Sequence, residues 1–461
     1  MSSLEHDKLL NEISLREIES GLYDIKIDGI GVYNYIRRYC RNRFMSEFGF
    51  SEGIGSPCAS INERRKNILI SFRDFIKIAF GRTKAHNVIR SFERIELVNG
   101  LYVDKFTDPI VDFTSINKNY VIIDPGRNGR HLRPRSHQNN IIYPDAIYWL
   151  SSHLLRFKFI KSRYIKKNAK LLDNLYFKLN KTFPEISFDR DWITLVIIEQ
   201  TYVLYFYKYL FKKLRAKRFF APARGSFLDM IPAAKLRNVR VFELQHGVTY
   251  GESLTYSGYV DPLFSPDYFL AFSKITNPHN YGMEEDRVVE IGWAFEKYLA
   301  LAEKQHAENG VLVISSPEIS AKMVTMTTLL ASLNPNVKFS FRPHPNEVLD
   351  EEKLNQLGRY DNIDINDNLE NLNVALARFS YIIGENSTAL YEGLNMGKNV
   401  GKLFLEGRQP RYLDEDDKKY FYEISSNEDF LDFIGSPMGS KPSRKLYQLF
   451  DKTAFESIIS E

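Results

Sequence analysis

Tyr381-Ile382-Ile383-Gly384-Glu385-Asn386-Ser387-Thr388-Ala389-Leu390-Tyr391-Glu392-Gly393 changes its period in mid-stretch. Up to Gly384 it is a short apolar run, as in a buried strand. From Asn386 it reads as a helix start, with Asn, Ser and Thr in capping position ahead of Ala389 and Leu390. The same alternation extends outward on both sides. Val311 to Ser315 reads as a strand, Ala321 to Leu333 as a helix, and Val337 to Arg342 as a strand that runs into His344-Pro345. Glu351 to Leu357 is a helix, Ile363 to Ile365 a strand, Leu369 to Ala377 a helix and Asn399 to Leu403 a strand. Such a series implies parallel strands joined by crossover helices.

A second series precedes it. Arg218 to Pro222 reads as a strand, Ser226 to Arg237 as a helix and Val239 to Leu244 as a strand, followed by the turn Gln245-His246-Gly247. Pro266 to Phe272 and Arg287 to Ile291 read as further strands, the last ending at Gly292. Glu296 to Gly310 reads as a polar, helical crossing between two copies of one architecture. Earlier still the pattern is looser. Ser14 to Glu17 has capping-box spacing, and Ile30 to Phe44 is aromatic and basic at near-helical spacing. Arg64 to Phe80 reads as a helix stopped by Gly81, and Arg94 to Val103 and Tyr120 to Asp124 as strands. Arg127 to Gln138 is a polar loop rich in Arg and His, of a length that suits function or disorder. Leu154 to Asn180 reads as a basic helix. Asp189 or Asp191 would cap a long helix ending near Leu214.

Composition sets the limits. The chain has 461 residues, 44% apolar and 26% charged, and a net charge of +4. That suits two domains and gives no general affinity for polyanions, so no nucleic-acid partner is expected. From His153 to Arg218 there are sixteen Lys/Arg against five Asp/Glu. This local surface suits anionic lipid or a phosphorylated acceptor, though a solvated helix face would look the same. Cys40 and Cys58 lack CxxC spacing, which argues against a disulfide scaffold and a zinc site. Trp192 to Phe211 is the most apolar stretch. It carries Glu199, Gln200 and Lys208, and reads as a core or interfacial helix. The polar, acidic Met1 to Leu10 does not resemble a signal peptide, so a cytoplasmic location is expected, with peripheral contact at an inner membrane through the basic segment.

Three loops carry candidate chemistry. A helix starting near Asn386 offers free N–H groups to a phosphate, and Ser387 and Thr388 can add hydroxyls. Glu392, one turn in, can accept from ribose hydroxyls. A plain helix cap would use the same residues. In Arg342-Pro343-His344-Pro345, two prolines fix the backbone around His344 at a strand end, and Arg342 supplies a permanent charge. In the Gln245-His246-Gly247 turn, His246 can take a proton from an acceptor hydroxyl, with Glu252 and Glu243 as competing bases. The sequence has no GxxxxGK[ST], HExxH or GxSxG. Asp189-Arg190-Asp191 precedes a helix, and Asp414 to Asp417 reads as a solvated acidic loop.

In this order and spacing, the loops resemble those of bacterial GT-B-fold glycosyltransferases that build capsule and lipopolysaccharide and carry a His-Pro motif and a Ser/Thr motif. The likeness covers roughly residues 217 to 405. It implies α/β architecture, with two Rossmann-like domains facing a cleft and helical additions in the N-terminal half. Residues 1–295 would form the acceptor domain, with a basic helical insertion near 151–216. Residues 296–461 would form the nucleotide-donor domain, with a terminal helix. It also implies donor binding through Arg342, His344, Asn386, Ser387, Thr388 and Glu392. His246 would be the catalytic base, with Gln245, Gly247 and Glu252 on the acceptor loop. The polysialyltransferase-like members carry an acidic residue where this chain has Gln245-His246. The His-Gly pair instead matches the teichoic-acid glycerophosphotransferases. The expectation is therefore transfer of a sugar from a nucleotide-sugar to an oligosaccharide or lipid-linked surface glycan, with no metal or other cofactor. The rivals are a CDP-polyol phosphotransferase, a nucleotide-sugar epimerase of similar fold and a non-catalytic capsule-assembly protein.

Overall fold

The computed structural model describes residues 3–48, 59–81, 83–92, 94–127, 129–275, 277–299, 308–345, 347–366, 371–442 and 445–460. Cys58 and Asn346 lie outside them. The expected repeat of one architecture is present. The C-terminal sheet has six strands: Glu308–Ile314, Phe339–Arg342, Ile363–Ile365, Phe379–Gly384, Asn399–Leu403 and Tyr422–Ile424. Every pairing is parallel. Numbered in chain order, they lie in space as 3-2-1-4-5-6, the doubly wound Rossmann order. The short strands are apolar because helices cover both faces.

The N-terminal sheet has seven parallel strands in the same order, with one added at the edge: 3-2-1-4-5-6-7. In sequence these are Asn87–Arg90, Tyr120–Ile123, Ile141–Ile142, Arg218–Pro222, Arg240–Leu244, Tyr268–Ala271 and Val288–Glu290. The first strand corrects the sequence reading, which put a strand at Arg94 to Val103. That stretch is an antiparallel hairpin, Ile95–Val98 with Leu101–Asp104, outside the main sheet. Its turn is Asn99-Gly100, with both residues at positive φ (50° and 79°), a primed hairpin turn. The Asn-Gly pair was the available signal.

Between the third and fourth strands the chain leaves the sheet to build the helical addition. Lys158–Thr182 and Arg190–Leu214 are both 25 residues long. Asp189 caps the second, accepting from Trp192 N–H at 3.0 Å. They pack with Ser3–Glu19 and Tyr33–Glu47 around Leu10, Ile36, Phe44, Leu175 and Ile197. Ser14 to Glu17 therefore does not open a helix but lies inside one. Glu17 is fully buried and receives Arg41 at 2.7 and 2.8 Å, plus the hydroxyls of Tyr23 and Tyr33. A buried carboxylate persists only when paired in this way. Ile61–Ala79 starts at a complete capping box, Ser60 with Glu63.

The last helix departs from the expected division. Lys452–Ser460 packs on the N-terminal sheet through Phe455, Ile458 and Ile459, against Phe220 and Phe242. Arg218 and Arg240 both donate to Ile459 O, at 2.8 and 2.9 Å. The returning chain runs against Gly292 (φ 72°), where a Cβ would lie 2.2 Å from Leu449 O, so only glycine fits. Asp417 also differs from expectation: it is fully buried and accepts from Tyr391 Oη and from Leu413 N–H at 2.9 Å.

Candidate functional site

The three loops sit at the carboxyl ends of parallel strands, where doubly wound sheets hold ligands. Gly384 ends the fourth C-terminal strand and the helix Thr388–Asn395 follows. Ser387 caps this helix, accepting from Ala389 N–H at 3.3 Å. Asn386 Oδ1 accepts Arg411 N–H at 2.7 Å, which shapes the loop. The buried Glu385 is held by Arg408 at 2.6 Å.

Arg342 ends the second C-terminal strand. It is buried, and its Nη1 donates to Asn366 at 3.1 Å. His344 follows in a loop tied by Glu347, which accepts from His344 N–H at 2.9 Å and from Ser315 Oγ at 2.8 Å. Burial, then the positive charges of Arg94 and Arg127, push the His344 imidazole down to about 4.

On the facing domain, Gln245 is a structural residue. Its Oε1 accepts Phe272 N–H at 2.8 Å, and its Nε2 donates to Gly247 O at 3.1 Å. This holds the turn that presents His246. The imidazole meets Phe92 edge-on, ring centres 5.5 Å apart. Burial, then Arg94, push it down to about 3. Of the competing bases, Glu243 is buried against Arg224 at 2.6 Å, and Glu252 is partly exposed on the loop beyond Gly247.

The domains meet at these loops. Val248 N–H points to Thr388 Oγ1 at 3.5 Å, and a Cβ on Gly247 would lie 3.1 Å from the same oxygen. The His246 turn and Thr388 thus meet across the cleft, and the charge of Arg94 lowers both His246 and His344. Glu392 has another task. Its carboxylate, 2% exposed, pairs with the equally buried Lys105 of the facing domain at 3.0 Å, with Glu96 at 3.7 Å from the same ammonium. This corrects the ribose role: a buried carboxylate needs a cation, and Lys105 supplies it. Apolar packing of Phe106, Phe272 and Trp293 against Leu312, Leu390 and Tyr391 surrounds the pair.

The sequence reading missed Arg94, Arg127, Phe92 and Lys105 as site residues. Arg94 was absorbed into an expected strand. Arg127 belongs to the Arg/His-rich loop, but other members of that loop are structural: Arg135 pairs with Asp108 and Asp124, and His131 with Asp145 at 3.0 Å. Among the described residues, no three His, Cys, Asp or Glu side chains converge as a metal site.

No family model matches the chain, and no curated protein matches its sequence. Solved structures resemble it in fold. A UDP-GlcNAc 2-epimerase from Methanocaldococcus jannaschii is 11% identical over 81% of this chain and 98% of its own, with a TM-score of 0.47. The S. aureus MnaA–UDP structure is 11% identical over 82% and 95%, with a TM-score of 0.48. The glycotransferase of kitacinnamycin is 9% identical over 77% and 92%, with a TM-score of 0.43. The fold assignment itself rests on strand order: two doubly wound Rossmann-like domains face a cleft, with helical additions in the N-terminal half.

Proposed function

We propose that the protein is a glycosyltransferase that takes its sugar from a nucleotide-sugar and adds it to a growing surface glycan. What supports this reading is that the Gln245-His246-Gly247 turn of one sheet meets the start of the Thr388 helix of the other across the cleft. Arg94, Arg127 and the helix N-terminus would receive the nucleotide phosphates. His344 would donate to the departing phosphate, and Thr388 to its neighbour. His246 keeps a lone pair free at neutral pH. An arriving diphosphate would offset Arg94 and raise the imidazole toward a range useful for general base catalysis. The acceptor hydroxyl would then displace the nucleotide directly, without a metal.

The basic helix Lys158–Thr182 exposes Phe159 and Phe177 and would rest on an anionic inner-membrane face near lipid-linked acceptors. No described helix is long and apolar enough to cross a membrane. Thermal-shift titration with UDP, CDP, CMP, GDP and TDP, with and without magnesium, tests the donor site. A ligand at ~100 times its dissociation constant adds about 2.7 kcal/mol. One nucleotide should stabilise the wild type and not His344→Ala. No shift with any nucleotide would favour a non-catalytic role.

A further inference from the structure

A surface helix ordinarily buries its apolar stripe and shows a polar one. The helix Ile61–Ala79 buries Asn67, Ser71, Asp74 and Ile78. On its outer side Leu69, Ile76 and the capping residue Phe80 are 71, 52 and 78% exposed. At 100° per residue these three fall within about 40° of one another, opposite the buried residues. They make one outward stripe, where apolar side chains scattered singly would need no explanation. One flank extends it. Phe72 meets the exposed Trp149 edge-on, ring centres 5.6 Å apart, and Phe75 meets the exposed Tyr209 at 6.0 Å.

The charge beside the stripe is mostly of one sign. From Arg64 to Phe80 five Lys/Arg stand against one carboxylate, Asp74. Asp74 is buried and faces Arg73 at 3.5 Å, while Arg65, Lys66 and Lys77 are exposed. Lys213 lies over the Tyr209 ring at 5.5 Å. The stripe also has a definite place. Asn67 donates to Gly129 O at 2.7 Å, in the loop whose Arg127 bears on His344, so the helix starts at the catalytic edge of the sheet. We propose that this face docks on an anionic lipid membrane. Leu69, Ile76 and Phe80 enter among the acyl chains, and the cations beside them meet the headgroups. An apolar stripe bordered by Lys and Arg, with Trp and Tyr next to it, matches the boundary between hydrocarbon and charged headgroup. A second copy of the chain fits less well: a two-fold contact is self-complementary and would set the same cations against each other. This surface is distinct from Lys158–Thr182. It needs neither donor nor acceptor, so it stands apart from the glycosyltransferase reading.

Sedimentation of the whole protein with vesicles tests it, one set of phosphatidylcholine alone and one of equal parts phosphatidylcholine and phosphatidylglycerol. Partition onto the anionic set should be tenfold or more stronger, and should weaken as salt rises. Leu69→Ser with Ile76→Ser should cost tenfold or more at an unchanged melting temperature, and so should Arg65→Glu with Lys77→Glu. Equal partition onto both sets, no partition onto either, or full binding by either double variant would overturn the proposal. A larger loss from Phe159→Ser with Phe177→Ser would move the docking to Lys158–Thr182 and overturn it too. So would a dimer in light scattering that Leu69→Ser with Ile76→Ser dissolves, while vesicles leave the wild type in solution. Vesicle binding by a protein that binds no nucleotide would uphold the surface and sink only the glycosyltransferase reading.

Discussion

The two sheets share a strand order but differ in how they are written. In the C-terminal sheet the first five strands follow one another after short loops and one α-helix each, so the period changes lie close together. In the N-terminal sheet the third and fourth strands are separated by three helices, and a hairpin follows the first strand. Strand order is thus compatible with large excursions, provided they leave and return at the sheet's ends. The second difference concerns the histidines. His344 is anchored within its own domain by Glu347, whereas the His246 turn leans across the cleft on Thr388.

The strongest way to break this comparison is to attack what joins the halves. Lys105→Met would leave Glu392 buried without its cation, which typically costs about 3–5 kcal/mol. Denaturant unfolding should show the loss, and Lys105→Met combined with Glu392→Gln should restore much of it. A single variant within about 1 kcal/mol of wild type would mean that the domains do not depend on the pair. Next comes His344→Ala. Loss of a fixed donor to the leaving group removes roughly 2.7–4 kcal/mol of transition-state stabilisation, so turnover should fall a hundredfold or more with an unchanged melting temperature. Near-normal turnover would remove His344 from the chemistry.

A pH series sharpens the contrast between the histidines. Their folded values, about 3 and about 4, lie below the ordinary 6.5. Below pH 6.5 the unfolded chain therefore takes up protons that the folded protein refuses. The stability they contribute is intact above pH 6.5 and is lost as pH falls toward 4. Melting temperatures between pH 7 and 4.5 should fall less steeply in a His246→Gln/His344→Gln protein. In Arg94→Ala both imidazoles should titrate higher by NMR. Movement of only one would show that the cation does not serve both. The smallest effect is Gly247→Ala, whose new methyl crowds Thr388 at a cost of about 1 kcal/mol. Thr388→Ala should relieve part of it, which a double-mutant cycle would read as non-additivity.

Much of the architecture was legible because its signals are local. The first five C-terminal strands, the Asp189 cap and the two prolines around His344 are patterns a few residues long, whereas the sixth strand, Tyr422–Ile424, three residues long and beyond an acidic run, was not legible. The first N-terminal strand, Asn87–Arg90, was passed over because it is four residues long, carries polar Asn87 and Arg90, and lies next to a better-looking run. The two histidine turns and Thr388 do lie at strand ends, as their sequence context predicts. Asn386 and Ser387 match the same pattern, and their oxygens also hold the loop and cap the helix.

By itself the sequence determined two series of strands and helices, the turns that end them, and the residue types that those turns present. Periodicity and capping are settled within one or two turns of chain. The tertiary structure alone decided that Glu392 faces Lys105, 287 positions away, and that the charge of Arg94 bears on both histidines. It alone sent the last helix back to the first sheet. Such pairings follow from which buried charge finds a counter-charge and which apolar faces close on each other, and neither is set by distance along the chain.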